Sequence, residues 1–175
     1  MPNFDDFKLA VEAMTGGKNT VLFDDMGMPS VMVPFPKMKI AEIMSGGSQN
    51  IHPAFSVGGV EKDVLYVSKF QNIVLNDRAY SLPMRDPKVY VTFDQALTFC
   101  RNKGKGWSLN PYSLWSAIAL WCRKNGTMPR GNNFWGKDYT YQHEKGVPCA
   151  WESKEAESHP GEPARCLTGS GPATW

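Results

Sequence analysis

The sequence lacks most of the features that would tie it to a chemistry at once. Neither charge sign dominates: 19 Lys and Arg stand against 17 Asp and Glu, a formal net charge of +2. No run of basic residues forms a phosphate-tracking patch, so nucleic acid is not an expected partner. No apolar window reaches the ~20 residues that a bilayer-spanning helix requires, so no membrane partner is expected either. The opening Met1-Pro2-Asn3-Phe4-Asp5-Asp6 is acidic where a secretory signal is basic and then apolar, which leads to an expectation of synthesis in the cytoplasm without a signal peptide. Histidine is scarce, at 52, 143 and 159. His143-Glu144 has no second His at zinc-helix spacing, and Gly146-Val147-Pro148 would break such a helix. The four cysteines, 100, 122, 149 and 166, form no CxxC pair, and none has a His at a zinc-finger offset.

The remaining short motifs are incomplete in the same way. Ser170 in Gly169-Ser170-Gly171 lacks the spacing, the following helix and the downstream His of a nucleophile elbow. No Gly-Lys-Ser/Thr follows Gly104-Lys105-Gly106, which reads as a tight turn rather than a phosphate loop. Lys103 and Lys105, flanking that turn, read as solvated surface. Asp5-Asp6 and Asp24-Asp25 are adjacent pairs, not the alternating oxygen ligands of a calcium loop. The expectation is therefore no catalytic residue, no metal ligand and no cofactor.

What is present is an α+β pattern. Residues 3 to 14 read as an amphipathic helix with Asn3 as N-cap, Asp5 and Asp6 at the dipole's positive end, and Phe4, Phe7, Val11 and Met14 on one face. Gly16-Gly17 stops it. Val21-Leu22-Phe23 and Val31-Met32-Val33 read as strands around a turn-rich Asp24 to Pro29, with Pro34 and Pro36 ending the second strand or placing it at an edge. Ser45 to Asn50 is a linker or loop. This divides the chain into a small lead-in, 1–50, and a larger domain, 51–175.

In the larger part Val64 to Val67 and Ile73 to Leu75 read as strands, Asn76-Asp77 as a turn, and Pro83 and Pro87 as brackets of an irregular connection. Thr92 and Gln95 form a capping-box pattern ahead of a helix bearing Phe93, Ala96, Leu97 and Cys100. A second helix starts with Asn110 as N-cap and Pro111 as its first residue. Its apolar stripe is Leu114, Ala117, Ile118, Trp121 and Cys122, Lys124 suits its C-terminal end, and Gly126 caps it. Cys100 and Cys122 fall on apolar faces as buried thiols. The disulfide state of Cys149 and Cys166 stays open. All six tryptophans lie at or after residue 107. Trp121 belongs to the core and Trp115, off the stripe, packs between elements. Trp135, Tyr139 and Tyr141, in or just after a Gly/Asn-rich loop, are the candidate ligand-binding residues, in a composition that suits contact as well as packing.

The order of motifs from residue 64 onward resembles a known family. Tyr66-Val67-Ser68-Lys69-Phe70-Gln71-Asn72, Ser81-Leu82-Pro83, Thr92-Phe93-Asp94-Gln95-Ala96, Gly104-Lys105-Gly106-Trp107-Ser108-Leu109, the Trp115 to Trp121 helix and Pro129-Arg130-Gly131-Asn132-Asn133 together resemble the formylglycine-generating-enzyme-like branch of the C-type lectin fold. The lead-in and the ending Leu167 to Trp175 are similar to bacterial prophage proteins, among them the retroelement-diversified receptor-binding proteins that set phage tropism. The resemblance implies an α+β, C-type-lectin-like scaffold that displays loops to a host cell-surface protein or glycan. It also implies attachment to other phage tail subunits, a homo-oligomer such as a trimer, and a place in the virion's tail.

Members of that family continue beyond the Gly171-Pro172-Ala173-Thr174-Trp175 segment into further core strands, and the enzymatic branch carries its active-site cysteines there. The resemblance accordingly transfers no catalytic cysteine and no variable contact position onto this chain, and it implies a fold incomplete at its C-terminal end. Three readings follow: a non-enzymatic phage ligand-display or tail protein; an enzyme of the formylglycine-generating, sulfatase-modifying oxidase type; and a truncated product completed by another chain.

Overall fold

The computed structural model describes residues 4–128, 138–143, 147–148 and 165–166. The chain is mixed α and β and divides into two compact units. One comprises Met1–Met32, Ser68–Leu109 and Arg130–Trp175; the other comprises Val33–Val67 and Asn110–Pro129. The boundary read from the sequence at residue 50 falls inside the second unit.

In the first unit, helix α1 spans Phe4–Thr15; Asn3 lies outside the described residues. Gly16 and Gly17 take φ of +59° and +77°, a conformation that glycine adopts without strain, and the Gly17 amide donates to Glu12 O at 2.8 Å to close the helix end. Met14, expected on the packed face with Phe7 and Val11, is instead 88% exposed. The packed face is rotated toward Glu12 and Thr15 by hydrogen bonds. The Thr20 hydroxyl donates to Glu12 Oε1 at 2.6 Å, and the Asn19 amide donates to Thr15 Oγ1 at 3.1 Å.

Strands β1, Thr20–Phe23, and β2, Pro29–Pro36, pair antiparallel with Thr20 opposite Met32 and Phe23 opposite Pro29. With β5, Val64–Ser68, they form a sheet ordered β1-β2-β5. The two prolines therefore do not end β2 at Val33; the strand is central as far as Met32 and, among the described residues, open on its β1 side beyond it, where the prolines lie. The Val31 amide donates to Ser81 O and the Lys37 amide to Asp63 O, so odd-numbered residues bond on one side. Pro34 and Pro36 turn their missing donors to the other side, past the last β1 pairing at Met32, where no ladder bond is required. Strands β6, Ile73–Leu75, and β7, Arg78–Tyr80, form a hairpin with Leu75 opposite Arg78. Asn76 and Asp77, at φ of 48° and 55°, make the two-residue turn that such a hairpin favours.

Helix α3, Phe93–Arg101, carries the capping box read from the sequence: the Gln95 amide donates to Thr92 Oγ1 at 3.3 Å and the Thr92 amide to Gln95 Oε1 at 2.9 Å. Cys100 is buried, but Phe93 is 71% exposed because it sits in the first turn, ahead of the residues that pack on β7. A short pair, β8 at Val147–Pro148 and β9 at Arg165–Cys166, is antiparallel.

The second unit has an apolar core of Phe35, Met38, Ile43, Ala54, Phe55, Leu114 and Ala117, with Trp121 partly buried against it. Phe35 stacks on Phe55 with centroids 6.0 Å apart and meets the Trp121 ring edge-on at 6.4 Å. Helix α4, Tyr112–Lys124, presents the expected stripe, with Leu114, Ala117 and Cys122 buried. Its N-cap is Pro111, not Asn110: Pro111 is extended, at φ −72° and ψ 154°, and its carbonyl accepts from the Leu114 and Trp115 amides. At the other end Gly126 has φ +66°, and the Thr127 amide returns to Cys122 O at 2.9 Å. Trp115 does not pack between elements. It is 58% exposed and stacks on Tyr112, one turn away on the same helix.

Residues 45–50 are a closed loop rather than a linker. A short helix, α2, Ile40–Ile43, precedes them, and the Ile40 and Ala41 amides donate to Asn50 O and Ser48 O. A Cβ on Gly47 would lie 2.8 Å from the Ile40 backbone, a close approach only glycine permits. His52 is buried, and its Nδ1 accepts from the Ala54 amide at 3.2 Å to cap the 3-10 turn Pro53–Phe55. Burial lowers its pKa, in keeping with a neutral acceptor. Strands β3, Ser56–Val57, and β4, Val60–Glu61, complete the unit as a small hairpin.

Candidate functional site

Among the described residues, the densest set of interacting polar groups lies in the first unit, at the turn joining β1 to β2. Asp24 Oδ1 accepts from the Met26 amide at 3.0 Å and the Met28 amide at 2.8 Å, which folds the turn onto the carboxylate. Asp24 Oδ2 accepts from the Tyr80 hydroxyl at 2.7 Å and from Arg78 at 3.1 Å. Arg78 and Tyr80 are two apart on β7 and so project from the same face of the strand. Arg78 also pairs with Asp25. The Asp24 side chain is fully buried, and its four donors saturate the lone pairs a carboxylate offers. It therefore has no free lone pair with which to act as a general base or bind a cation.

Lys103 closes the cluster. It is 3% exposed, which overturns the solvated reading of this residue. Its Nζ donates to Ser30 Oγ at 2.7 Å, lies 3.3 Å from the centroid of the Trp107 ring, and is 4.9 Å from that of Tyr80. Ring faces carry negative potential and partly replace lost water around the ammonium. The Lys103 carbonyl accepts from the Asp25 amide at 3.2 Å. Gly104, at φ +106°, lets the chain double back so closely that a Cβ there would meet the Asp25 side chain at 3.2 Å. The Gly104 to Trp107 turn thus serves the scaffold, delivering Trp107 over Lys103 while its start rests against Asp25.

The charge states follow from this packing. Burial alone would raise the Asp24 pKa, but the hydrogen bonds from Tyr80, Met28, Arg78 and Met26 together hold it below the ordinary carboxylate value. Tyr80 is pushed up to about 12 by burial and by the Asp24 carboxylate it donates to. Lys103 is pulled down to about 8, chiefly by burial, with the Asp24 charge opposing. Ser81, fully buried, ties in the neighbouring chain: its carbonyl accepts from the Val31 amide at 2.8 Å and its hydroxyl from the Phe70 amide at 2.9 Å. Chemically the arrangement is a closed bracket whose groups face one another.

The sequence-predicted contact residues lie elsewhere. Tyr139 and Tyr141 are 68% and 40% exposed on a turn held by Asp138, whose Oδ1 accepts from the Thr140 amide at 2.8 Å and the Tyr141 amide at 3.2 Å. The Tyr141 ring meets His143 edge-on at 6.2 Å. Trp135 lies outside the described residues; the two tyrosines share the Asp138 turn. Cys100 and Cys122 are buried free thiols whose pKa burial raises; Cys149 lies outside the described residues. Among the described residues no group of three or more His, Cys, Asp or Glu is placed to hold a metal, and no helix is long and apolar enough to cross a membrane.

Sequence reasoning missed Asp24, Arg78, Tyr80 and Lys103. Two signals pointed to the first three: an Asp three residues before a Gly, the pattern of a side-chain-closed turn, and alternating Arg-x-Tyr directly after a two-residue hairpin turn; neither marks Lys103. No family model and no curated protein matches the sequence.

Proposed function

We propose that this chain is a non-enzymatic ligand-display protein with a C-type-lectin-like fold, working in host-surface recognition or tail structure of a phage or prophage. The observation that carries this reading is the division of labour between the polar bracket and the aromatic turn. The glycine-tied motif behind the family resemblance closes over Lys103 and Asp25 as scaffold, while Tyr139 and Tyr141 face solvent on a turn fixed by Asp138. Exposed tyrosines on a short, hydrogen-bonded turn supply large contact area at low entropic cost, which suits recognition of a protein or a glycan.

The oxidase reading requires a partly exposed thiol with a lowered pKa. Cys100 and Cys122 have the opposite character, so that reading would rest on Cys149 or Cys166. A screen of the purified protein against bacterial cells and a glycan array tests the display reading. Binding is expected, and Tyr139→Ala with Tyr141→Ala should weaken it at least about tenfold, the effect of losing one or two aromatic anchors. Absence of binding to any host surface, together with absence from virions, would contradict it. Rapid thiol-specific labelling at Cys149 or Cys166 in the folded protein would favour the oxidase instead.

A further inference from the structure

Strand β5 forms one edge of the β1-β2-β5 sheet, and among the described residues no further strand pairs with it. At the opposite edge β1 packs with α1. The Asp63 carbonyl accepts from the Lys37 amide at 2.7 Å, and the Lys69 amide donates to Val31 O at 3.1 Å. Odd-numbered residues of this stretch therefore turn their backbone groups toward β2 in an antiparallel ladder, and the amides and carbonyls of Val64, Tyr66 and Ser68 point away from the sheet. Side chains alternate as well. Leu65 and Val67 pack on the second unit's core, while Val64, Tyr66 and Ser68 are exposed, Tyr66 to 44%. Sheet edges are ordinarily blunted by proline, an inward charge or a bulge, and Val64-Leu65-Tyr66-Val67-Ser68 carries neither proline nor charge.

The charges that flank the strand say what fits this edge. Asp63 precedes it and Lys69 follows it, each three residues from Tyr66. A second copy laid antiparallel about a two-fold axis at Tyr66 sets Tyr66 opposite Tyr66, Val64 opposite Ser68, and Asp63 opposite Lys69. In this register every outward-pointing residue exchanges its amide and carbonyl with the residue opposite, as hydrogen-bonded antiparallel pairs do. Shifted antiparallel registers shorten the ladder and part the charges, and a parallel, in-register pairing sets Asp63 beside Asp63. Both charges have capacity for the contact. The Asp63 side chain is 90% exposed and meets Lys37 through Oδ1 alone. Lys69 is partly buried, with its pKa lowered by that burial, and among the described residues it has no ion pair.

We propose that two copies of this chain pair through the free edge of β5, antiparallel about a two-fold axis at Tyr66, so that the sheets of both copies become one. A contact of one short strand on another is smaller than the ~1,200 Å² of a standard specific interface, so monomer and dimer exchange with concentration. The test is sedimentation of the whole chain across a micromolar concentration series, where a monomer–dimer equilibrium is expected. Tyr66→Pro removes the amide at the axis and leaves the β2 ladder intact, and it should raise the Kd at least about tenfold. Val64→Lys combined with Ser68→Glu should instead tighten the dimer, because only antiparallel pairing sets the new charges opposite each other. Circular dichroism should be unchanged in both, since these side chains are exposed. A third variant tests the register even if Tyr66→Pro fails to fold. Hydrogen-bonded antiparallel pairs hold their Cα atoms ~5.5 Å apart, within disulfide reach, so Tyr66→Cys should crosslink to itself on mild oxidation beyond the level of the parent. A chain that stays monomeric at every concentration leaves the edge to some other strand and overturns the proposal. So does a dimer that a folded Tyr66→Pro leaves intact, or one in which Tyr66→Cys fails to crosslink. Surface binding by the tyrosine turn is read in a separate assay and can survive either result.

Discussion

The two units solve the problem of an interior differently. The second buries rings and aliphatic chains, Phe35 on Phe55 with Leu114 and Ala117 beneath, and keeps an ion pair at its surface, where Lys37 Nζ lies 2.7 Å from both Glu61 and Asp63. Pairs so exposed contribute little to stability. The first unit buries charge: the Asp24 side chain is fully enclosed, and Lys103 is 3% exposed under an indole. Burial of apolar area is indifferent to pH and tolerant of substitutions that conserve volume. A buried polar network is stable only while every member has its partner, and it responds to pH through each shifted group. The two units should therefore fail under different insults, which makes the contrast testable.

The largest expected effect is in the second unit. Phe55→Ala removes a fully buried ring and should cost about 3–5 kcal/mol in urea denaturation, nearly the same at every pH where the protein is folded. A strongly pH-dependent loss would break the contrast. Next, Asp24→Ala leaves the Tyr80 hydroxyl and the Met26 and Met28 amides without their acceptor and should cost about 3 kcal/mol at neutral pH. Because the Asp24 pKa is lowered from 3.8, its contribution is present above that value and is lost as pH falls below it through the folded pKa. Parent and variant should therefore converge in acid, as melting curves can show. Gly104→Ala should cost less, about 1–2 kcal/mol, since it imposes φ +106° on a residue with a Cβ and crowds the Asp25 side chain. Hydrogen exchange should place that loss at the β1–β2 turn and leave amides of α4 protected.

This contrast also explains what can be read from the chain. The α3 capping box and the α4 stripe are legible because caps and helical periodicity are local, set within a few residues by backbone geometry. Phe55 has no periodic pattern around it, so nothing in the sequence marks it as the centre of the second core. The burial of Asp24 and Lys103 is illegible for a deeper reason. A charged side chain in a glycine-containing turn carries the signature of solvent, and only partners 56 and 73 residues distant in the chain, Tyr80 and Ser30, accommodate its burial. Pro34 and Pro36 mislead because a missing donor is harmless where the facing strand has already ended. At the candidate contact site, Tyr139 and Tyr141 can be picked out by composition, but the Asp138 turn that orients them depends on backbone conformation that composition does not encode.

If Lys103 is enclosed within the polar network of the first unit, it must carry the signature of its burial into the pH dependence of stability. Its folded pKa, about 8, lies below the ordinary 10.5, so between those values the unfolded chain holds a proton that the folded chain has released. Its contribution to stability must then rise with pH across that window. Lys69, lowered by burial, adds to the rise, while Tyr80, raised from 10.0, and Cys100 and Cys122, raised from 9.0, oppose it at the upper end. The decisive quantity is therefore the stability of the parent minus that of Lys103→Met, obtained by denaturant unfolding at a series of pH values. This difference should move in the parent's favour as pH rises from about 8 to 10.5. A difference that stays constant across the window would refute the burial of Lys103 in the first unit, because Lys103 would then titrate as it does in water.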